Sequence, residues 1–190
     1  MEKTVDEYKN STDNALVEFA KEVLASDKKN ATQKQYVIGE VTTKAAQDIE
    51  RLVGFDVSNF EHVIDGGHIG HIGKRHGEHG EADQSMKDPE DIGRVKYVLD
   101  NYDDIEISGR RNRQFINSDG TLAKVLIYKK RINGNYYVTE VVADAKIKRL
   151  RIISMRKSKA ETEHDSNYPA VLTSETPSAT NNIQNSTTHV

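Results

Sequence analysis

The sequence predicts an α+β domain, with helices packed on a small antiparallel β-sheet and a disordered C-terminal tail. Three observations carry this reading. Helical spacing of apolar residues dominates the first hundred positions, whereas from Ile105 onward the apolar residues alternate or are β-branched, with a two-residue hairpin signal at Asn133-Gly134. Beyond Lys159 the chain turns to Ser, Thr, Asn, Pro and Ala without periodicity. Helices first and hairpin-joined strands afterwards separate this pattern from a doubly wound one. We divide the chain into a helical extension (1–30), a main domain (31–158) and a tail (159–190).

The elements follow in order. Val5, Tyr8, Leu16, Phe19, Ala20, Val23 and Leu24 mark an amphipathic helix whose firm part begins near the capping residues Asn10 to Asn14. A linker over Ser26 to Asn30 breaks it. Gln35 to Val41 reads as a strand, and Thr42 or Thr43 caps a helix that buries Ala46, Ile49, Leu52 and Val53 and ends at Gly54 in the left-handed conformation. Phe60 to Ile64 is a second extended run. Asp88-Pro89-Glu90-Asp91 supplies a cap, a first-turn proline and acids at the positive end of a helix with Ile92, Val95, Val98 and Leu99 on one face. Ile105 to Ile107, Leu122 to Arg131, Tyr136 to Ala143 and Arg149 to Met155 form the antiparallel meander.

Composition narrows the chemistry. The chain has 190 residues and no cysteine, which excludes a disulfide scaffold and all thiolate chemistry. No run approaches the roughly 20 apolar residues of a membrane span, and the charged start MEKTVDEYKNSTDN is unlike a signal peptide, so a cytoplasmic protein is expected. The charge is segregated. Residues 1–93 hold 11 Lys+Arg against 19 Asp+Glu, and residues 94–158 hold 15 against 7. A basic carboxy-terminal half is the footprint that a phosphate backbone requires, although ordinary solvated strands give the same count.

Five of the seven histidines lie between His62 and His79. On a helix, His68, His71 and Arg75 of the segment HIGHIGKRHGEHGE share one sector, and Ile69, Ile72 and His76 share another. The second face packs inward, so His76 is either a core histidine with a satisfied hydrogen bond or a catalytic one. The first face is polar and can meet a ligand. Gly70 and Gly73 each weaken a helix by up to about 1 kcal/mol relative to alanine, which implies close approach of another backbone or of substrate. An imidazole that titrates near neutrality beside a fixed guanidinium suits phosphodiester chemistry. A metal site competes on His68-x-x-His71 and His76-x-x-His79 with Glu78 and Glu81, but no HExxH occurs and the four imidazoles do not face one point on a regular helix.

The runs IERLVGFDVSNFEHVIDGGHIGHIGKRHG, DPEDIGRVKYVLDNYDDI and NGNYYVTEVVADAKIKRLRIISMRK resemble the phage-associated nuclease domains grouped with barnase, EndoU, the RNase colicins and RelE. The resemblance spans about Tyr36 to Lys157, and His71 to His76 is its most specific part. It implies helices on a small antiparallel sheet and a metal-independent RNase activity, with no cofactor. Such domains often end large phage or prophage polypeptides. Residue by residue, it points to His71, Lys74, Arg75 and His76 on the helix and to Ser154 on the last strand as the catalytic set. His68, from the polar helix face, and the strand cations Lys130, Arg131, Arg149 and Arg151 are our own candidates for holding substrate.

RNA is cut without a metal when its own 2'-hydroxyl attacks the adjacent phosphate. On this reading His71 is the general base or acid, Arg75 and Lys74 stabilise the charged phosphorane, and His76 or Ser154 positions groups or moves the second proton. Tyr128 and Tyr137 are candidates for stacking a base. The expected partners are RNA and either an immunity protein or the parent phage polypeptide, with no membrane and a monomeric chain. A non-catalytic nucleic-acid-binding module and a histidine-based metal-dependent hydrolase are the competing readings.

Overall fold

Local capping chemistry sets most boundaries in the computed structural model, which describes residues 2–26, 32–108, 115–117 and 119–159. The N-terminal amphipathic stretch is two helices rather than one, α1 (Glu2–Asn10) and α2 (Asn14–Ala25). Asp13 divides them, because its carboxylate accepts from the backbone N–H groups of Ala15 and Leu16 and so starts α2 afresh. Strand β1 (Gln35–Glu40) leads to helix α3 (Thr43–Val53), capped by the Thr42 hydroxyl and closed by Gly54 at φ 86°. Strand β2 (Glu61–Asp65) runs directly into helix α4 (Gly66–His76).

The predicted helix after Asp88 is also divided. Helices α5 (Pro89–Gly93) and α6 (Val95–Asp100) meet at Arg94, and Asp88 caps the first through the Glu90 N–H. Strands β3 (Asp104–Ile107), β4 (Val125–Ile132), β5 (Asn135–Asp144) and β6 (Arg149–Lys159) complete the domain. Asn133 and Gly134 both take positive φ in the β4–β5 turn, as a two-residue hairpin requires. Strand β4 begins at Val125, not at Leu122, which instead forms an isolated bridge with Ile116. The expected tail lies outside the described residues except for Lys159, the last residue of β6.

The sheet order is β1-β2-β6-β5-β4-β3. The meander over β3 to β6 is antiparallel as the sequence predicts, but the sheet as a whole is mixed, because β2 pairs parallel with β6, from Glu61 opposite Arg149 to Ile64 opposite Ile152. Helices α2 to α6 cover one face, where Leu16, Ala20, Ile49, Ile64, Ile69, Ile72, Ile92, Leu99, Leu126, Val141, Leu150 and Ile152 lie in the main core. Leu16, Ala20 and Val23 of α2 belong to that core. No described helix is long and apolar enough to cross a membrane.

Candidate active site

Helix α4 starts where β2 stops, and this junction organises the site. Asp65, the last residue of β2, accepts from the His68 backbone N–H at 2.9 Å and contacts the His68 imidazole Nδ1 at 2.8 Å. Burial would push the Asp65 carboxyl up, but the side-chain and backbone hydrogen bonds from His68 and the field of Arg151 outweigh it and hold it below its ordinary value. A carboxylate acceptor calls for the proton on Nδ1, which leaves Nε2 to act on a ligand.

Arg151 is central to the second half of the site. Strand register places it between Val63 of β2 and Val142 of β5, on the sheet face opposite the helical layer. Asp65 follows Val63 by two residues and shares that face. The Nε of Arg151 is buried and has no hydrogen-bond partner among the described residues. A buried guanidinium nitrogen without a partner costs about 1–3 kcal/mol.

A bulge shapes the next stretch of β6. Val141 pairs with Ile152 and Glu140 with Ser154, so Ile153 is an extra residue. The insertion lets Ile152 and Met155 both enter the main core and turns Ile153 and Ser154 to the opposite face. Ser154 is only 1% exposed and lies across from Glu140, itself buried and bound to the Arg156 Nη1 at 2.8 Å. Phe115 and Ala123 pack over Val125, Val142 and Ile153 at one end of this face.

The two faces of α4 are as the sequence predicts. Ile69, Ile72 and His76 are buried, His68 and His71 are half-buried, and Lys74 and Arg75 are exposed. Lys74 and Arg75 both approach Glu81, at 3.2 and 3.8 Å. His76 points away from the site: its Nδ1 contacts Asp83 at 2.9 Å, and its carbonyl accepts from the Met86 N–H at 2.7 Å. Burial opposes ionisation of Asp83, yet the hydroxyl and backbone N–H of Ser85, with His76, hold its carboxyl low.

The strand cations divide. Arg149 bonds to Gln35, and Arg131 uses its backbone N–H to reach Asp103. Lys130 alternates with Tyr128 and Ile132 on the helix-side face, where its ammonium meets Asp103 at 2.6 Å, away from Arg151. Tyr128 is fully buried and cannot stack a base. Among the described residues no three His, Asp or Glu side chains gather to hold a metal ion.

Residues 38–165 match the model of a family described as phage-Barnase-EndoU-ColicinE5/D-RelE like nuclease3. The chain belongs to this nuclease family. No curated protein and no solved structure matches it. In this nuclease the match begins inside β1 and runs past the end of β6, so α1 and α2 lie outside the matched region.

Sequence reasoning missed four of the nuclease's polar residues. Asp65 carried a signal, since an acid directly before a glycine-rich helix start is an N-cap pattern. Glu140 carried another, because an acid inside the buried run Val138 to Ala143 needs a partner. Asp83 and Arg156 had none, for their partners are set by loop and strand packing.

Proposed function

We propose that this nuclease is a phage-derived endoribonuclease that cuts RNA by attack of the 2'-hydroxyl on the adjacent phosphate, without a metal. The observation that carries the reading is the imidazole of His68 held by Asp65, whose carboxylate also feels the charge of Arg151, a residue with a buried nitrogen that lacks a partner among the described residues. One imidazole must accept the 2'-hydroxyl proton while the 2'-oxygen bonds to phosphorus. A second must protonate the 5'-oxygen as the P–O5' bond breaks, which yields a 2',3'-cyclic phosphate and a 5'-hydroxyl.

His68 and His71 stand one helical turn apart on the same face and take these two roles. Arg151 receives the charge that develops on the phosphorane, and Arg75 and Lys74 add to it once phosphate competes with Glu81. Ser154 is a positioning residue on this reading, beside Glu140, whereas His76, which faces Asp83, serves the fold. Arg131 and Arg149 lie along the flanking strands and hold the RNA backbone.

The test is incubation of the purified protein with total bacterial RNA in excess chelator, with His68→Ala, His71→Ala and Arg151→Ala alongside. Cleavage that leaves 2',3'-cyclic ends and is lost in the variants is expected. Cleavage only after a divalent ion is added would replace this mechanism with a metal-dependent one. Salt-sensitive RNA binding without cleavage under either condition would leave a binding module.

A further inference from the structure

A cavity lies far along β6 from Arg151, on the helix side of the sheet. It has a volume of about 490 Å³ and lies between α1, the segment before α5, and the β4–β5 hairpin. That volume falls in the range of about 300–1,000 Å³ that small-molecule sites occupy. Its wall includes Val5, Tyr8 and Lys9 of α1, which the family match does not cover.

The floor is a closed charge cluster. Asp91, 4% exposed, accepts from the Tyr8 hydroxyl at 2.8 Å and from the Lys157 ammonium at 2.5 Å, and Arg94 Nη1 stands 3.8 Å away. Burial and the adjacent carboxylate hold the Tyr8 hydroxyl protonated far above its ordinary range. Four cations line the cavity, Lys9, Lys87, Arg94 and Lys157, against two carboxylates, Asp88 and Asp91. Asp88 is occupied in capping α5. Lys9 and Lys87 are exposed at the rim, and among the described residues neither has a carboxylate within ion-pair distance. Beside them Val5, Ile132 and the half-buried Tyr137, whose ring packs on Tyr8 at 4.8 Å with the Lys157 ammonium 5.3 Å over it and so leaves its edge to the cavity, give an apolar wall.

A neutralised floor, two uncommitted ammonium groups at the rim and an apolar wall together fit a ligand with a charged end and a flat or apolar body. We propose that this cavity is a second anion site that takes a nucleotide-sized phosphate ester, its phosphate between Lys9 and Lys87 and its base along the wall of Val5, Ile132 and the Tyr137 edge. The site is separate from the histidine face and does not depend on the cleavage mechanism.

Calorimetric titration of the full chain with 5'-AMP, inorganic phosphate and adenosine tests this. AMP is expected to bind, phosphate to bind at least tenfold more weakly, and adenosine not at all. The exposed double variant Lys9→Glu/Lys87→Glu should weaken AMP binding at least tenfold with an unchanged circular dichroism spectrum, whereas Arg151→Ala should leave it intact. A KM for RNA raised by Lys9→Glu/Lys87→Glu would identify the phosphate ester as part of the RNA chain, and an unchanged KM would identify it as a free nucleotide. Absence of AMP binding to the wild-type protein, or binding lost in Arg151→Ala and kept in Lys9→Glu/Lys87→Glu, would overturn the proposal.

Discussion

Asp65 holds His68 twice with one oxygen, Oδ1, which meets both the backbone N–H at 2.9 Å and the imidazole Nδ1 at 2.8 Å. The cap that starts α4 therefore also orients its first histidine. Asp65→Asn keeps an oxygen for the cap but removes the charge that faces an imidazolium. We expect kcat to fall at least tenfold with KM nearly unchanged, and the melting temperature to drop only slightly. Steady-state kinetics on a defined oligonucleotide reads the split, and a fall confined to KM would remove the dyad from proton transfer.

His76 gives the opposite expectation. It is buried, faces Asp83 and anchors the segment from Gly77 to Asp88 against the end of α4. His76→Ala should cost about 1–3 kcal/mol in urea denaturation, since it leaves a buried cluster unfilled and the Asp83 carboxylate short of a donor. At a temperature where the variant remains folded, cleavage should persist at a tenth of the wild-type rate or more, whereas His68→Ala should abolish it.

The glycines differ for a physical reason. A Cβ at Gly93 would sit 2.4 Å from the Val17 Cγ2 and 3.0 Å from the Asp13 carbonyl oxygen, both on the packed α2 side, so Gly93→Ala should destabilise by about 1–3 kcal/mol. Among the described residues a Cβ at Gly70 would meet nothing within 4 Å. Gly70→Ala should stabilise α4 by up to about 1 kcal/mol, read as a higher melting temperature. If RNA runs along the polar face of α4, that same variant cleaves more slowly, and unchanged cleavage would place the RNA path elsewhere.

Acid should weaken the fold in two stages. Burial, then the nearby Lys96 ammonium, pushes His62 from its ordinary value down to about 3, and its Nε2 meets the Tyr128 hydroxyl at 3.1 Å. The unfolded chain takes up this proton near pH 6.5 and the folded chain does not, so stability declines as pH falls from about 6.5 toward 3, by at most about 1.4 kcal/mol per unit. Asp48, Asp65, Asp83 and Asp103 are all held low in the folded state. Their contribution is complete above the unfolded value near 4 and is lost below it. Urea midpoints measured from pH 7 to 3.5 should show both stages, and His62→Gln should flatten the first.

Features governed by neighbours in sequence were legible. Thr42, Gly54, Asp88, Pro89 and the Asn133-Gly134 turn each act through bonds or dihedrals a few residues away, and the inward face of Ile69, Ile72 and His76 follows from helical spacing alone. The parallel partnership of β2 and β6 joins residues nearly 90 positions apart, and no local pattern encodes it. The candidate site divides along the same line. The polar arc of His68, His71 and Arg75 was readable, but the isolation of Arg151 Nε, the carboxylate facing His76 and the displacement of Lys130 to the other face arise from packing.

The parallel pairing of β2 with β6 also orders events in time. Every residue of the histidine helix is translated long before Arg151, yet the two halves meet only when the last strand docks against the second. A nascent chain that stops short of residue 152 lacks that seam and holds its histidines without the guanidinium. The junction of β2 with α4 and the arginine of β6 are thus brought together only by the final strand.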